Sequence, residues 1–259
     1  MRSILVNADR NPGMDARLET ALSIARATGG HVTVLIDTPV ARYIAMDPMG
    51  GSYVASEALK QAMADDDTNA AEIEERLRSE DVQFDVIRSE AEPVDALGRA
   101  ARLSDVVILS RSGGLAGDVA MLSRTPVLAL PDDKALTVPL RKACIAWDGG
   151  DEAAAALRGS VSLLTSCGAV EVVTVSDHPG DFPPTEALRY LSRHGISAEL
   201  KEIARRGSTE ETLAVAAASA DLLVMGAYGH SRMREFLFGG VTRFFLEEVE
   251  NSPALLMAH

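Results

Sequence analysis

Short runs of branched apolar residues alternate along this chain with longer stretches in which apolar positions recur at three- and four-residue spacing. The first pattern predicts strands and the second amphipathic helices. Residues 2–9 and 142–148 open the two halves with a strand-like run. Each is followed by a turn and then a helical stripe: Met14, Leu18, Leu22 and Ala25 in the first half, Ala153, Leu157, Val161 and Leu164 in the second. Second strands are expected at 31–37 and 170–177, and third strands, with partial alternation, at 82–87 and 196–203. Fourth strands follow at 105–109 and 221–225, and fifth strands at 126–130 and 253–257. An alanine-rich helix comes after each third strand, and Ser208 with Glu211 predicts a capping box for the second of them.

The chain is therefore an internal repeat of an alternating strand and helix unit. Strands that are apolar on both faces imply a parallel sheet covered by helices, so the expected class is α/β with two tandem open parallel-sheet domains. The polar, proline-flanked stretch 131–139 is the natural linker, which gives domains at 1–133 and 140–259. Apolar fifth strands suit a pairing of the two halves as a pseudo-dimer, and a homodimer is the wider alternative. Ligands of such sheets bind beyond the carboxyl ends of the strands. Asp9, Asp148 and Gly226 fall at those ends, so Asp148 and Gly226 are expected to share a crevice.

Composition narrows the function classes. At 47% apolar and 24% charged residues the chain is ordinary for a globular protein. Acidic residues outnumber basic ones by 22 to 14 over 1–138 and by 16 to 11 over 139–259, for a net charge of -13. Neither half offers the basic surface that nucleic-acid binding requires. No apolar stretch reaches the ~18 residues of a spanning helix, and the chain opens on a strand without a secretory apolar region, so a cytoplasmic location with no membrane partner is expected. Cys144 and Cys167 lack metal or redox spacing and read as structural thiols.

Candidate chemistry concentrates behind the fourth strand of the second half. Gly226 and Gly229 are followed by Gly239, Gly240, Val241 and Thr242, and the loop carries Arg232 and Arg234, with Arg243 just beyond and Glu235 as its one acid. Glycines let backbone amides approach an anion, and amides at a helix start carry the positive end of its dipole. The pattern suits a phosphate cradle; the plainer alternative is a strand-to-helix turn. The first half has 16 positions between Ser110 and Pro126 where the second has 27 between Gly226 and Pro253, so this loop is missing there. The segment around Ser112 and Gly113 is too short to replace it. Conversely, the first half carries a long connection from 38 to 80, with a helix expected from Val54 and surface-loop methionines at Met46 and Met49.

On these residues the chain resembles the universal stress protein family in its tandem two-domain form. The family motif is a glycine, two residues, a glycine, nine residues, then glycine followed by serine or threonine. Gly226, Gly229 and Gly239 are in register, and Gly240 replaces the hydroxyl residue. The resemblance implies a sheet of the adenine-nucleotide α-hydrolase-like type that binds ATP, with ADP and AMP as alternatives, and with or without Mg2+. It implies that Asp148 contacts adenine or ribose, that Val175 lines the adenine pocket, and that amides from Gly229 to Thr242 hold the phosphates. Glycine at position 240 keeps an amide but offers no hydroxyl. A hydrogen bond to a charged group contributes ~1.5–3 kcal/mol, roughly 10- to 100-fold in affinity, and Thr242 is placed to restore it.

Competing readings stand beside these. Asp148 also suits an N-cap, and strand alternation turns Trp147 away from it into the packing. His230 and the loop arginines suit solvent as well as phosphate. No GxSxG, HExxH or Walker A pattern is present, and no GxGxxG follows either first strand. The expected activity is therefore nucleotide binding by a stress-response sensor that acts on a protein client. The alternatives are a nucleotide-free scaffold with vestigial pockets and a slow ATPase.

Overall fold

A computed structural model describes residues 1–45, 52–175, 182–228, 240–249 and 252–259. Met46 and Met49 lie outside the described residues. The first half runs β1 (Ser3–Asn7), α1 (Met14–Thr28), β2 (His31–Asp37), α2 (Val40–Ala45), α3 (Ser52–Arg78), β3 (Gln83–Ser89), α4 (Pro93–Ala100), β4 (Val106–Ser110), α5 (Leu115–Leu122) and β5 (Val127–Leu130). The second runs β6 (Lys142–Ala146), α6 (Asp151–Leu164), β7 (Ala169–Val175), α7 (Pro184–Arg193), β8 (Ala198–Ile203), α8 (Thr209–Ala217), β9 (Leu222–Gly226), α9 (Gly240–Arg243) with a π-helical turn at Phe244–Glu248, and β10 (Ala254–Ala258).

The ten strands form one sheet in the order β3-β2-β1-β4-β5-β10-β9-β6-β7-β8. All neighbours are parallel except β5 and β10, which pair antiparallel with Leu128 opposite Leu256. The fifth strands thus join two five-stranded units of identical order into a pseudo-dimer. Every residue of β5 and β10 is buried, whereas the outermost strands β3 and β8 carry exposed polar positions that alternate with half-buried ones. That contrast follows from position, because a central strand is covered on both faces by helices and an edge strand is not. The apolar core on each face runs through the seam: Ile4, Leu128, Leu256 and Val224 share one, and Leu5, Val127, Leu255 and Leu223 the other.

Local signals decide the helix starts. Ser208 Oγ accepts from the Glu211 N–H at 3.1 Å while Glu211 Oε2 accepts from the Ser208 N–H at 3.0 Å, the capping box that the sequence predicts. In the long connection of the first half, α3 buries Ile73 and Leu77 in the core, and Asn69 Nδ2 donates to the Ala8 carbonyl at 2.8 Å.

Candidate functional site

The carboxyl ends of β6, β7 and β9 surround a cavity of about 310 Å3. Its walls are apolar: Val173 and Val175 from β7, Met225 from β9, Leu213 from α8 and Val241 from α9. Its rim is polar, with Asp148, Gly226, Gly240 and Thr242. Six sequence-derived candidates, Asp148, Val175, Gly226, Gly240, Val241 and Thr242, therefore line one cavity. Gly229 and Gly239 lie outside the described residues, as do His230, Arg232, Arg234 and Glu235.

Asp148 is exposed, and its Oδ1 accepts the N–H of Gly150 at 2.8 Å. This bond closes the turn between β6 and α6; the N-cap is Gly150, so the carboxylate shapes the approach to the helix rather than capping it. Gly149 has φ 82, and a Cβ there would lie 2.7 Å from the Phe182 carbonyl oxygen. Trp147 is buried beneath this turn. Its Nε1 donates to that same carbonyl at 3.2 Å and its ring sits 6.3 Å from that of Phe182, so it packs as strand alternation predicts.

Gly226 serves packing as well as the cavity. A Cβ at this position would meet Ala153 N at 2.7 Å, because β9 ends against the first turn of α6. Gly240 is exposed, and a Cβ there would lie 2.9 Å from Glu210 Oε1. Thr242 is buried, and its Oγ1 accepts the backbone N–H of Tyr228 at 3.3 Å. A hydroxyl that accepts one bond still has its proton to donate, so this group can serve a phosphate oxygen while it holds Tyr228.

Tyr228, Thr209 and Leu213 are cavity residues that sequence reasoning missed. Tyr228 has φ 57, a conformation that nothing in its residue type announces. It also lines a cleft of about 560 Å3 between the halves, together with Arg111, Gly117, Asp118 and Glu247. Burial first, then the charges of Asp118 and Glu247, raise the Tyr228 hydroxyl above its ordinary value. Burial and the Glu171 charge push the Cys144 thiol up to about 12, which suits a structural role.

Register identifies the equivalent positions in the first half. Asn7 pairs with Leu35 as Ala146 pairs with Val173, which sets Asn7 against Ala146 and Asp37 against Val175. Ser110 stands where the second half has Gly226. The glycine of that contact has moved to the helix side, at Gly13, where a Cβ would meet Ser110 Oγ at 2.8 Å. Among the described residues no group of three or more His, Cys, Asp or Glu side chains is arranged to hold a metal ion. None of the described helices is long and apolar enough to cross a membrane.

The fold is a tandem α/β arrangement that fits the adenine-nucleotide α-hydrolase-like type. Residues 139–252 match the family model described as Universal stress protein family, so the second half belongs to that family and the first repeats its architecture. A universal stress protein from Archaeoglobus fulgidus DSM 4304 is similar in structure at a TM-score of 0.71 and 16% identity, over 98% of this chain and 97% of that one. A functionally unknown protein from Pseudomonas aeruginosa PAO1 is similar at a TM-score of 0.60 and 17% identity, over 100% of this chain and 92% of that one. These likenesses concern the fold. No curated protein matches the sequence.

Proposed function

We propose that the second domain, residues 140–259, binds an adenine nucleotide, ATP in the first place, and that occupancy changes the surface it presents to a protein client. On this reading the chain is a stress-response sensor, and residues 1–133 form a partner domain that takes no nucleotide. The observation that carries it is the polarity of the cavity. An apolar wall of Val173, Val175, Leu213 and Met225 faces a rim of Asp148 and the backbone at Gly226 and Gly240 to Thr242. A volume of about 310 Å3 is at the small end of ligand sites and suits a purine with its sugar and phosphates extending outward.

The roles follow from chemistry. The wall removes the base from water, and the Asp148 carboxylate accepts from a ribose hydroxyl or the adenine amine. The glycine motif, Gly226, Gly229, Gly239 and Gly240 with Val241 and Thr242, supplies amides and one hydroxyl to the phosphates. The family match over 139–252 supports the same reading.

Calorimetric titration of nucleotide-stripped protein with ATP, ADP and AMP, with and without Mg2+, tests it. Trp147, on the cavity lining, reports by fluorescence. One nucleotide per chain is expected, with binding lost in Val175→Asp and Gly229→Asp. A second reading, a nucleotide-free scaffold, is favoured by the Glu210 carboxylate beside Gly240, which repels phosphate. No heat at millimolar ATP selects that reading instead.

A further inference from the structure

We propose that the crevice of the first half is a binding site for a small organic cation that carries ammonium or guanidinium N–H donors. It lies at the carboxyl ends of β1, β2 and β4, the place that the nucleotide cavity occupies in the second half, and encloses about 600 Å3. The first half has therefore kept a crevice while changing what lines it.

Three replacements reverse its polarity. Ala146 gives way to Asn7, Val175 to Asp37 and Gly226 to Ser110. Asn7 and Asp37 project from the same face of the sheet, since Asn7 is in register with Leu35 and Asp37 follows two residues later. Asn7 is 2% exposed, and its Nδ2 donates to Asp9 Oδ2 at 3.1 Å, which fixes the amide and leaves Oδ1 as an acceptor. Asn7 Oδ1 and Asp37 Oδ1 are the buried side-chain acceptors without a hydrogen-bond partner among the described residues. Leaving such atoms unpaired is costly, and a ligand with N–H donors satisfies both.

Charge selects a cation. Four aspartates, Asp9, Asp37, Asp118 and Asp132, line the crevice against two arginines. Arg17 is buried and consumed internally: its Nε donates to the Asn7 carbonyl at 2.9 Å, and its terminal nitrogens bond Asp9 and Ser110. Arg42 is exposed and held by Glu92, with Nε to Oε2 at 2.7 Å. The Asp37 carboxylate, raised toward its neutral form first by burial and then by Asp9 and Asp66 against the opposing charge of Arg42, gains from a positive charge placed beside it. With Asp9 paired to Arg17, a nucleotide phosphate would meet the carboxylates of Asp37, Asp118 and Asp132. A bare metal ion is disfavoured by the size of the crevice and by the absence of a converging ligand set among the described residues.

Agmatine, which carries one ammonium and one guanidinium group, is the probe. Titration of the full chain by calorimetry is expected to give one site, unaffected by saturating ATP, so the result is independent of whether the second half holds nucleotide. Asp37→Asn and Asp37→Val, the latter placing the residue of position 175, are expected to weaken it about 10- to 100-fold. Both remove a half-buried charge whose desolvation is unfavourable, so folding is expected to be retained, which circular dichroism checks. Tetramethylammonium, a cation without N–H donors, and Mg2+ are the controls. Absence of agmatine binding at millimolar concentration, equal affinity in the Asp37 variants, or equal response to either control overturns the proposal.

Discussion

The backbone N–H of Tyr228 donates to the buried hydroxyl of Thr242 at 3.3 Å, and Tyr228 lines both the candidate nucleotide cavity and the cleft between the two halves. Tyr228 is held with φ 57, the one non-glycine residue with positive φ among those described. Such a conformation persists only where its surroundings enforce it. Thr242→Val removes the acceptor at nearly constant volume and is expected to destabilise by about 1–3 kcal/mol, while Thr242→Ser retains most of the stability. Urea unfolding of the three proteins checks this, and equal midpoints for Val and Ser would show that the hydrogen bond does not stabilise this turn.

The same tyrosine reaches across the molecule. A Cβ on Gly117 of α5 would overlap the Tyr228 hydroxyl oxygen. Gly117→Ala is therefore expected to cost about 1–3 kcal/mol through overpacking, and Tyr228→Phe in the same chain to recover part of it. A double-mutant cycle reads the coupling, which is expected to be at least 0.5 kcal/mol, the ordinary lower bound for residues in contact. Additive effects would mean that the ring moves aside at no cost.

Much of this arrangement was legible beforehand, and the reason is the repeat. Two copies of one pattern check each other, so strands and turns that are weak alone become firm when both halves carry them. The capping box of Ser208 and Glu211 is local in sequence and was predictable for that reason. Asp148, Val175 and Gly226 sit at strand ends, where the fold class dictates a crevice. Tyr228 and Leu213 were not legible: one depends on a backbone conformation that its residue type disfavours, and the other is one apolar helix position among several. Arg17 was hidden by the helical stripe, which assigns the position between Met14 and Leu18 to a polar role. The aligned first strands set Asn7 against Ala146, but the second strands read from sequence, 31–37 and 170–177, differ in length, so only the pairing register sets Asp37 against Val175 and exposes the change of polarity.

The seam between β5 and β10 carries both apolar cores from one half into the other, so the halves are expected to unfold together. Leu256 is fully buried opposite Leu128, between β5 and β9. Leu256→Ala is expected to lower stability by about 2–5 kcal/mol, with a single transition preserved. Circular dichroism follows the whole sheet and Trp147 fluorescence follows the second half. Separate midpoints for the two probes would show that the cores on either side of the seam act independently.

The Asp37 carboxyl is pushed up to about 6 by burial first, then by the charges of Asp9 and Asp66, against the opposing charge of Arg42. Its ordinary value is 3.8, so between the two the folded protein binds more protons than the unfolded chain. Stability contributed by this group is therefore lost as pH rises through that window. Asp37→Asn is expected to stabilise the protein near neutral pH and to change little below about pH 4, where the carboxyl is protonated in both states. Thermal unfolding of both proteins across this range reads the difference. A gap that grows toward acid pH would contradict the assigned direction.

Gly240, on the rim of the second cavity, has the Glu210 carboxylate beside it at the end that the proposed function assigns to phosphate. A serine at position 240 would supply the hydroxyl that the family motif carries, but its Cβ would stand 2.9 Å from Glu210 Oε1. The glutamate must then swing away, and its charge still opposes an incoming phosphate at short range. Gly240→Ser alone is therefore expected to gain little affinity for ATP. Combined with Glu210→Gln, which removes the repulsion at constant shape, it is expected to gain roughly 10- to 100-fold, the effect of one hydrogen bond to a charged group. Calorimetry on the two single variants and the double variant separates the terms. A double variant that binds ATP no better than the parent would place the phosphates away from Gly240, and with them the anion-binding role of this helix start.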